Sequence, residues 1–107
     1  MVRFFERYDA LLLPAAQVAP FPADLDWVRD INGEPMATYI DWMTVCCAVS
    51  VTGLPALSVP AGFTSTGLPV GLQIVTRPHD DLGLLQIAHG FEQATLHHRR
   101  RPDVALW

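Results

Sequence analysis

The sequence contains no lysine; all seven of its cationic side chains are arginine. A chain without lysine has no side-chain amine to serve as a general base or to form a Schiff base. Serine is scarce as well. Ser50, Ser58 and Ser65 are the whole set, and none sits in a G-x-S-x-G elbow. There are only two cysteines, Cys46 and Cys47, and they are adjacent. Neighbouring residues rarely satisfy the separation and torsion of an unstrained disulfide, so both read as reduced thiols, as expected of a cytoplasmic protein. No apolar run approaches the roughly 20 residues needed to span a bilayer, and the N-terminal "MVRFFERYDALLLP" lacks the apolar core and cleavage site of a signal peptide. The expectation is a cytoplasmic chain with no membrane partner. A formal net charge of -4 and a pI near 5.3 give no general electrostatic reason to bind nucleic acid.

What is present is the balance of a globular chain, with 50% hydrophobic and 17% charged residues over 107 positions. Residues 1–107 read as a single segment able to bury a core. "YDALLLP" (Tyr8 to Pro14) is a short apolar run closed by proline, the pattern of a strand buried on both faces. "AAQVAPFPADLD" (Ala15 to Asp26) has two prolines and no periodicity, so it predicts an irregular surface connection that offers no chemistry by itself. Asn32-Gly33 marks a turn. Pro35 suits the first position of a helix that runs to about Val51, where Gly53 and Pro55 stop it. That helix is apolar nearly all round, which predicts burial in the complete structure. "PALSVP" and "PVGLQIVTR" are two further strands, and "GFTSTGL" between them is short enough for an antiparallel hairpin. A second helix follows, capped by Asp80 or Asp81, with Leu84, Ile87, Ala88, Phe91 and Thr95 in one stripe. The order predicts an α/β fold with one right-handed parallel crossover and an antiparallel hairpin.

Little in this pattern carries chemistry. Ser50 falls in the apolar helix, Ser58 alternates within a strand and Ser65 lies in the turn, so all three read as structural. His79, His89, His97 and His98 pair with no cysteine or carboxylate at zinc-site spacing, and no metal is expected. "HHRRR" (His97 to Arg101) has the look of an anion patch, but cations just past a helix C-terminus also complement its dipole, and a solvated helix end is the favoured reading. Cys46 and Cys47 admit a redox or arsenical-type site; as residues of an apolar helix they read first as small hydrophobes.

Taken together, "YDALLLP", "TGLPALSVPAGFTSTGLPVGLQIVTRPHDD" and "LLQIAHGFEQAT" resemble the C-terminal end of the amidase signature family. The resemblance runs from about Phe4 to Pro102, and its G-L-P-A-x-S-V-P-A-G-F and G-L-P-V-G-L-Q elements are highly specific. The proline and glycine punctuation then marks sharply defined strand ends and a close backbone approach at Gly71. The resemblance implies the C-terminal part of an α/β/α sandwich, to which this chain contributes three strands of a mixed sheet and two helices. It also implies an enzyme that cleaves carbon-nitrogen bonds of amides with a nucleophilic serine, a second serine in a cis peptide, and a lysine, using no cofactor. Those residues lie in an earlier Gly/Ser-rich segment and an earlier Lys of the family, so no catalytic residue is assigned here. The chain resembles a fragment, with Met1 falling where family members are in mid-chain.

In relatives the region just before "TGLPA" borders the acyl pocket, which makes Trp42, Met43 and Cys46 the candidates for substrate contact. The implied partners are the remainder of the amidase domain, a small-molecule amide substrate and a second copy of the chain, but not nucleic acid or membrane. The A subunit of the glutamine-dependent amidotransferase resembles this chain in the hairpin, yet it carries a substrate-binding Asp where Met43 stands, while Asp41 sits two residues too early. The other reading kept open is a stand-alone, non-catalytic binding or assembly module.

Overall fold

The computed structural model describes residues 3–101. Seven regular elements follow in order: β1 (Leu11–Pro14), β2 (Asp30–Ile31), β3 (Glu34–Pro35), α1 (Thr44–Thr52), β4 (Ala56–Phe63), β5 (Pro69–Val75) and α2 (Asp81–Thr95), with short 3-10 turns at Phe4–Glu6, Asp41–Met43 and His97–Arg99. The main sheet has the order β1-β5-β4, and both ladders are antiparallel. The fold is therefore mixed α/β, with the expected antiparallel hairpin and a crossover between strands of the same direction, but the ladders among the described residues are both antiparallel and not mixed. β1 and β4 run in the same direction, and β5 inserts between them and pairs with each, Leu11 with Val75 on one side and Ala56 with Val75 on the other.

Proline placement follows from this order. A proline lacks the N–H a ladder needs, so within sheets it is confined to edge strands and first positions. Pro14 ends edge strand β1, Pro60 lies in edge strand β4, and the central strand carries Pro69 only as its first residue. The hairpin also shifts register between Pro60 and Gly62, a bulge that Gly62 accommodates with φ of 136°. Its tip is closed by Thr64 and Leu68: the Thr64 amide donates to the Leu68 carbonyl at 2.8 Å, and the Leu68 amide to Thr64 Oγ1 at 3.0 Å.

Two helices cover opposite faces of the sheet. Val59 and Ile74 pack with Leu84 and Ala88 of α2, joined by half-buried Ile87 and Phe91, which is the stripe the periodicity predicts. Asp80 caps that helix, its Oδ1 accepting from the Gly83 amide at 3.2 Å. On the other face Val75 packs with Val49 of α1 and with Phe5. The expected double burial of β1 is not realised: its burial alternates, and Leu12 is 55% exposed because α2 lies over β4 and β5 and stops short of it.

The first helix begins later than the sequence pattern implies. Asn32 and Gly33 take φ of 54° and 85°, the left-handed pair of a tight two-residue turn, so Asp30 pairs with Pro35 and Ile31 with Glu34 in a two-stranded ribbon. Pro35 ends that ribbon and starts no helix. The α-helix begins at Thr44, after the 3-10 turn Asp41–Met43, and stops where expected, at Gly53 with φ of 65°. Its outward residues are not covered by the described residues, and Val51 is 87% exposed.

The close approach at Gly71 is real. A Cβ at Gly71 would stand 2.9 Å from the Ala15 Cβ and 3.0 Å from Ser58 Oγ, whereas one at Gly90, inside α2, would meet nothing within 4 Å. Opposite responses to the same substitution are expected. Gly71→Ala should destabilise by about 1–3 kcal/mol through overpacking. Gly90→Ala should stabilise by about 1 kcal/mol through helix propensity. Urea unfolding followed by far-UV circular dichroism measures both, and equal effects would show that β1 does not pack this tightly on β5.

Candidate functional site

A cavity of about 650 Å³ opens where β1 ends and β5 begins. Its floor is Leu12 to Pro14 and Pro69 to Leu72, its wall is the connection Ala15–Phe21, and Trp42 closes one side. The floor exists because the Ala15 amide continues the ladder beyond β1, donating to the Gly71 carbonyl at 3.0 Å, and because Gly71 has no side chain to block Ala15.

The wall is held by α1. Gln17 Oε1 accepts from the Val45 amide at 3.0 Å, meeting one of the donors that the first turn of a helix leaves free, and its Nε2 reaches the Asp41 carbonyl at 3.5 Å. Cys46 Sγ donates to the Ala15 carbonyl at 3.2 Å. The connection read from sequence as carrying no chemistry of its own is thus fastened twice and supplies much of the cavity surface. Its signal was its position, immediately after a strand end, where crevices form in α/β folds.

Of the three sequence-derived candidates, Trp42 lines the cavity. Its ring meets Phe21 edge-on with centroids 5.5 Å apart, and Tyr39 at 5.8 Å. Its indole Nε1–H is buried and has no hydrogen-bond partner among the described residues. Cys46 stands behind the wall and positions it, and Met43 immediately precedes α1 without forming part of the cavity surface. Apart from Gln17 the other lining side chains are apolar. No hydrogen bond among the described residues joins a serine or cysteine to a histidine or carboxylate: Ser50 Oγ donates to the Cys46 carbonyl at 3.0 Å, and Ser58 is exposed against Gly71. Both cysteines are free, and no group of three His, Cys, Asp or Glu among the described residues could hold a metal ion. This arrangement can receive an apolar group; among the described residues it places no nucleophile beside a base.

Known proteins share both the sequence and the geometry. The A subunit of glutamyl-tRNA(Gln) amidotransferase from Moorella thermoacetica is 44% identical over 103 residues, covering 95% of this chain and 20% of that protein. Its counterpart from Myxococcus xanthus is 47% identical over 92 residues, with 85% of this chain and 18% of that one covered. Among solved structures, a bacterial aryl acylamidase of the amidase signature family superposes with a TM-score of 0.77 at 31% identity, covering 95% of this chain and 22% of that chain. A 6-aminohexanoate cyclic dimer hydrolase gives 0.71 at 32% identity, with 94% and 22% covered. The chain thus spans about a fifth of the length of the relatives it matches. The amidase family model matches residues 1–85, which take in the cavity floor, its wall and Trp42, and by that match the chain belongs to the amidase family.

Proposed function

We propose that the chain is the C-terminal structural and pocket-wall part of an enzyme that hydrolyses carbon-nitrogen bonds of amides, with a serine, cis-serine and lysine triad supplied from outside these residues. The observation that carries the reading is the apolar cavity closed by Trp42, within a segment whose sequence and backbone match amidase-family enzymes. Trp42 contacts the acyl part of the substrate, with Cys46 holding the opposite wall in place and Met43 beside them. A largely apolar surface favours a neutral, hydrophobic acyl group over a charged acid.

A second reading is favoured by the curated relatives, which are A subunits of an amidotransferase. Against it stands Met43, at the place where the resemblance implies a substrate-binding Asp in those proteins. An apolar thioether there offers no partner for the ammonium of free glutamine.

The remainder of the domain is the partner that covers what this chain leaves open. Among the described residues both outer strands, β1 and β4, present an unpaired edge, and Ile40, Val51 and Leu85 stand more than half exposed.

Three outcomes are expected. The isolated 107-residue chain should show no serine-dependent turnover on a panel of aryl and aliphatic amides, because nothing in it places a base or oxyanion donors around a serine; turnover above background would overturn the proposal. In the full-length enzyme, Trp42→Ala should lower kcat/KM for hydrophobic amides by about tenfold, the effect of losing roughly 1.4 kcal/mol of contact. Unchanged kinetics would remove Trp42 from the pocket. The isolated chain should also self-associate across a dilution series in sedimentation equilibrium, and a monomer mass at every concentration would show that its exposed edges and apolar faces need no cover.

A further inference from the structure

A second cavity, about 400 Å³, lies between the tip of the β4–β5 hairpin and the 3-10 turn after α2. Phe63, His97, His98, Arg100 and Arg101 line it, and no carboxylate does among the described residues. Three of the chain's seven cationic residues fall in the run Arg99 to Arg101, although the chain as a whole is acidic. The charge is thus concentrated against the sign of the molecule.

Dipole compensation does not describe this geometry. Cations that neutralise a helix C-terminus turn back toward its last carbonyls. Here Leu96 takes a left-handed φ of 58°, ends α2, and redirects the chain toward the hairpin. The Arg100 guanidinium then rests 4.0 Å from the Phe63 ring centroid, and His97 meets the same ring at 6.5 Å with a tilt of 73°. Two glycines make room. Gly62 faces the His97 ring at 3.8 Å from the position of a Cβ, and Gly67 faces Arg100 Nη2 at 3.7 Å, both with φ in the left-handed region. The ring holds the guanidinium by its face, which leaves the N–H edge available to a ligand. The ion pairs of the described residues all belong to Arg77, so no acidic side chain there occupies these donors.

We propose that this cavity binds a phosphate group. A planar guanidinium pre-oriented by an aromatic ring matches two oxygens of a phosphate, and a second arginine brings the positive charge to two, which suits a dianion better than a carboxylate, with two imidazoles as further polar groups. The phosphate is either free or carried by an organic ester, whose apolar part would lie against Pro60 and Pro69.

The test is titration of the isotopically labelled 107-residue chain with inorganic phosphate, phenyl phosphate and acetate at constant ionic strength, followed by amide NMR shifts. Saturable shifts centred on Gly62, Phe63, Gly67 and His97 to Arg101 are expected for both phosphates. Tighter binding of phenyl phosphate identifies an ester as the ligand, and equal binding identifies the free anion. Arg100→Gln should weaken phosphate binding by about tenfold, the loss of one charge-assisted contact. Arg99→Gln, which alters a residue outside the cavity surface, should leave it unchanged. The proposal is overturned if acetate binds as tightly as phosphate, if no saturation is reached, or if the Arg99 and Arg100 variants weaken binding equally. Should the free chain prove too associated for NMR, the same two variants compared by calorimetry in the full-length enzyme decide the question on the same criterion.

Discussion

The pairing of β5 on both edges is the constraint on which the rest of the molecule depends. It is the one strand of the sheet with a neighbour on each side, and Ile74, Val75 and Thr76 at its end are the largest fully buried side chains. Alternation along that strand sends Ile74 to α2 and Val75 to α1, so each helix is seated by one residue of the pair. Thr76 closes the strand with its amide on the Pro55 carbonyl at 3.1 Å and its hydroxyl on the Asp80 carbonyl at 3.2 Å, joining the hairpin to the cap of α2. A slip of one residue would exchange the two faces and unseat both helices.

Much of this was legible in the residues. The hairpin followed from proline-bounded apolar runs around a polar turn, and α2 from a stripe with a capping aspartate, because both are local patterns whose period is fixed by backbone geometry. The start of α1 was not legible. Pro35 is as acceptable at the end of a ribbon as at the start of a helix, and Asn32-Gly33 decided between them through two positive φ angles. The strand order also lay beyond local pattern. A crossover from β1 to β4 is compatible with direct pairing or with a third strand inserted between, and only the competition of β5 for both partners settles it.

The same division holds for the cavity. Trp42 was singled out by family resemblance, and it lines the cavity. Gln17 was not, since its contribution is a hydrogen bond to Val45 across a long separation in sequence. The distribution of charge around the sheet is uneven as well. Lysine is absent throughout, and the arginines that a globular surface would scatter are partly gathered at the far end of the hairpin. The two cavities both open at the start of β5 and share Pro69, the first reaching Gly71 and the second Gly67.

The double fastening of the Ala15–Phe21 wall to α1 has a mechanical consequence. Gln17 and Cys46 tie that wall to the first turn of the helix, while the floor is tied to β5 through the Ala15–Gly71 hydrogen bond. Ala15 takes part in both attachments, its carbonyl accepting from Cys46 and its amide donating to Gly71, so wall and floor meet at a single residue.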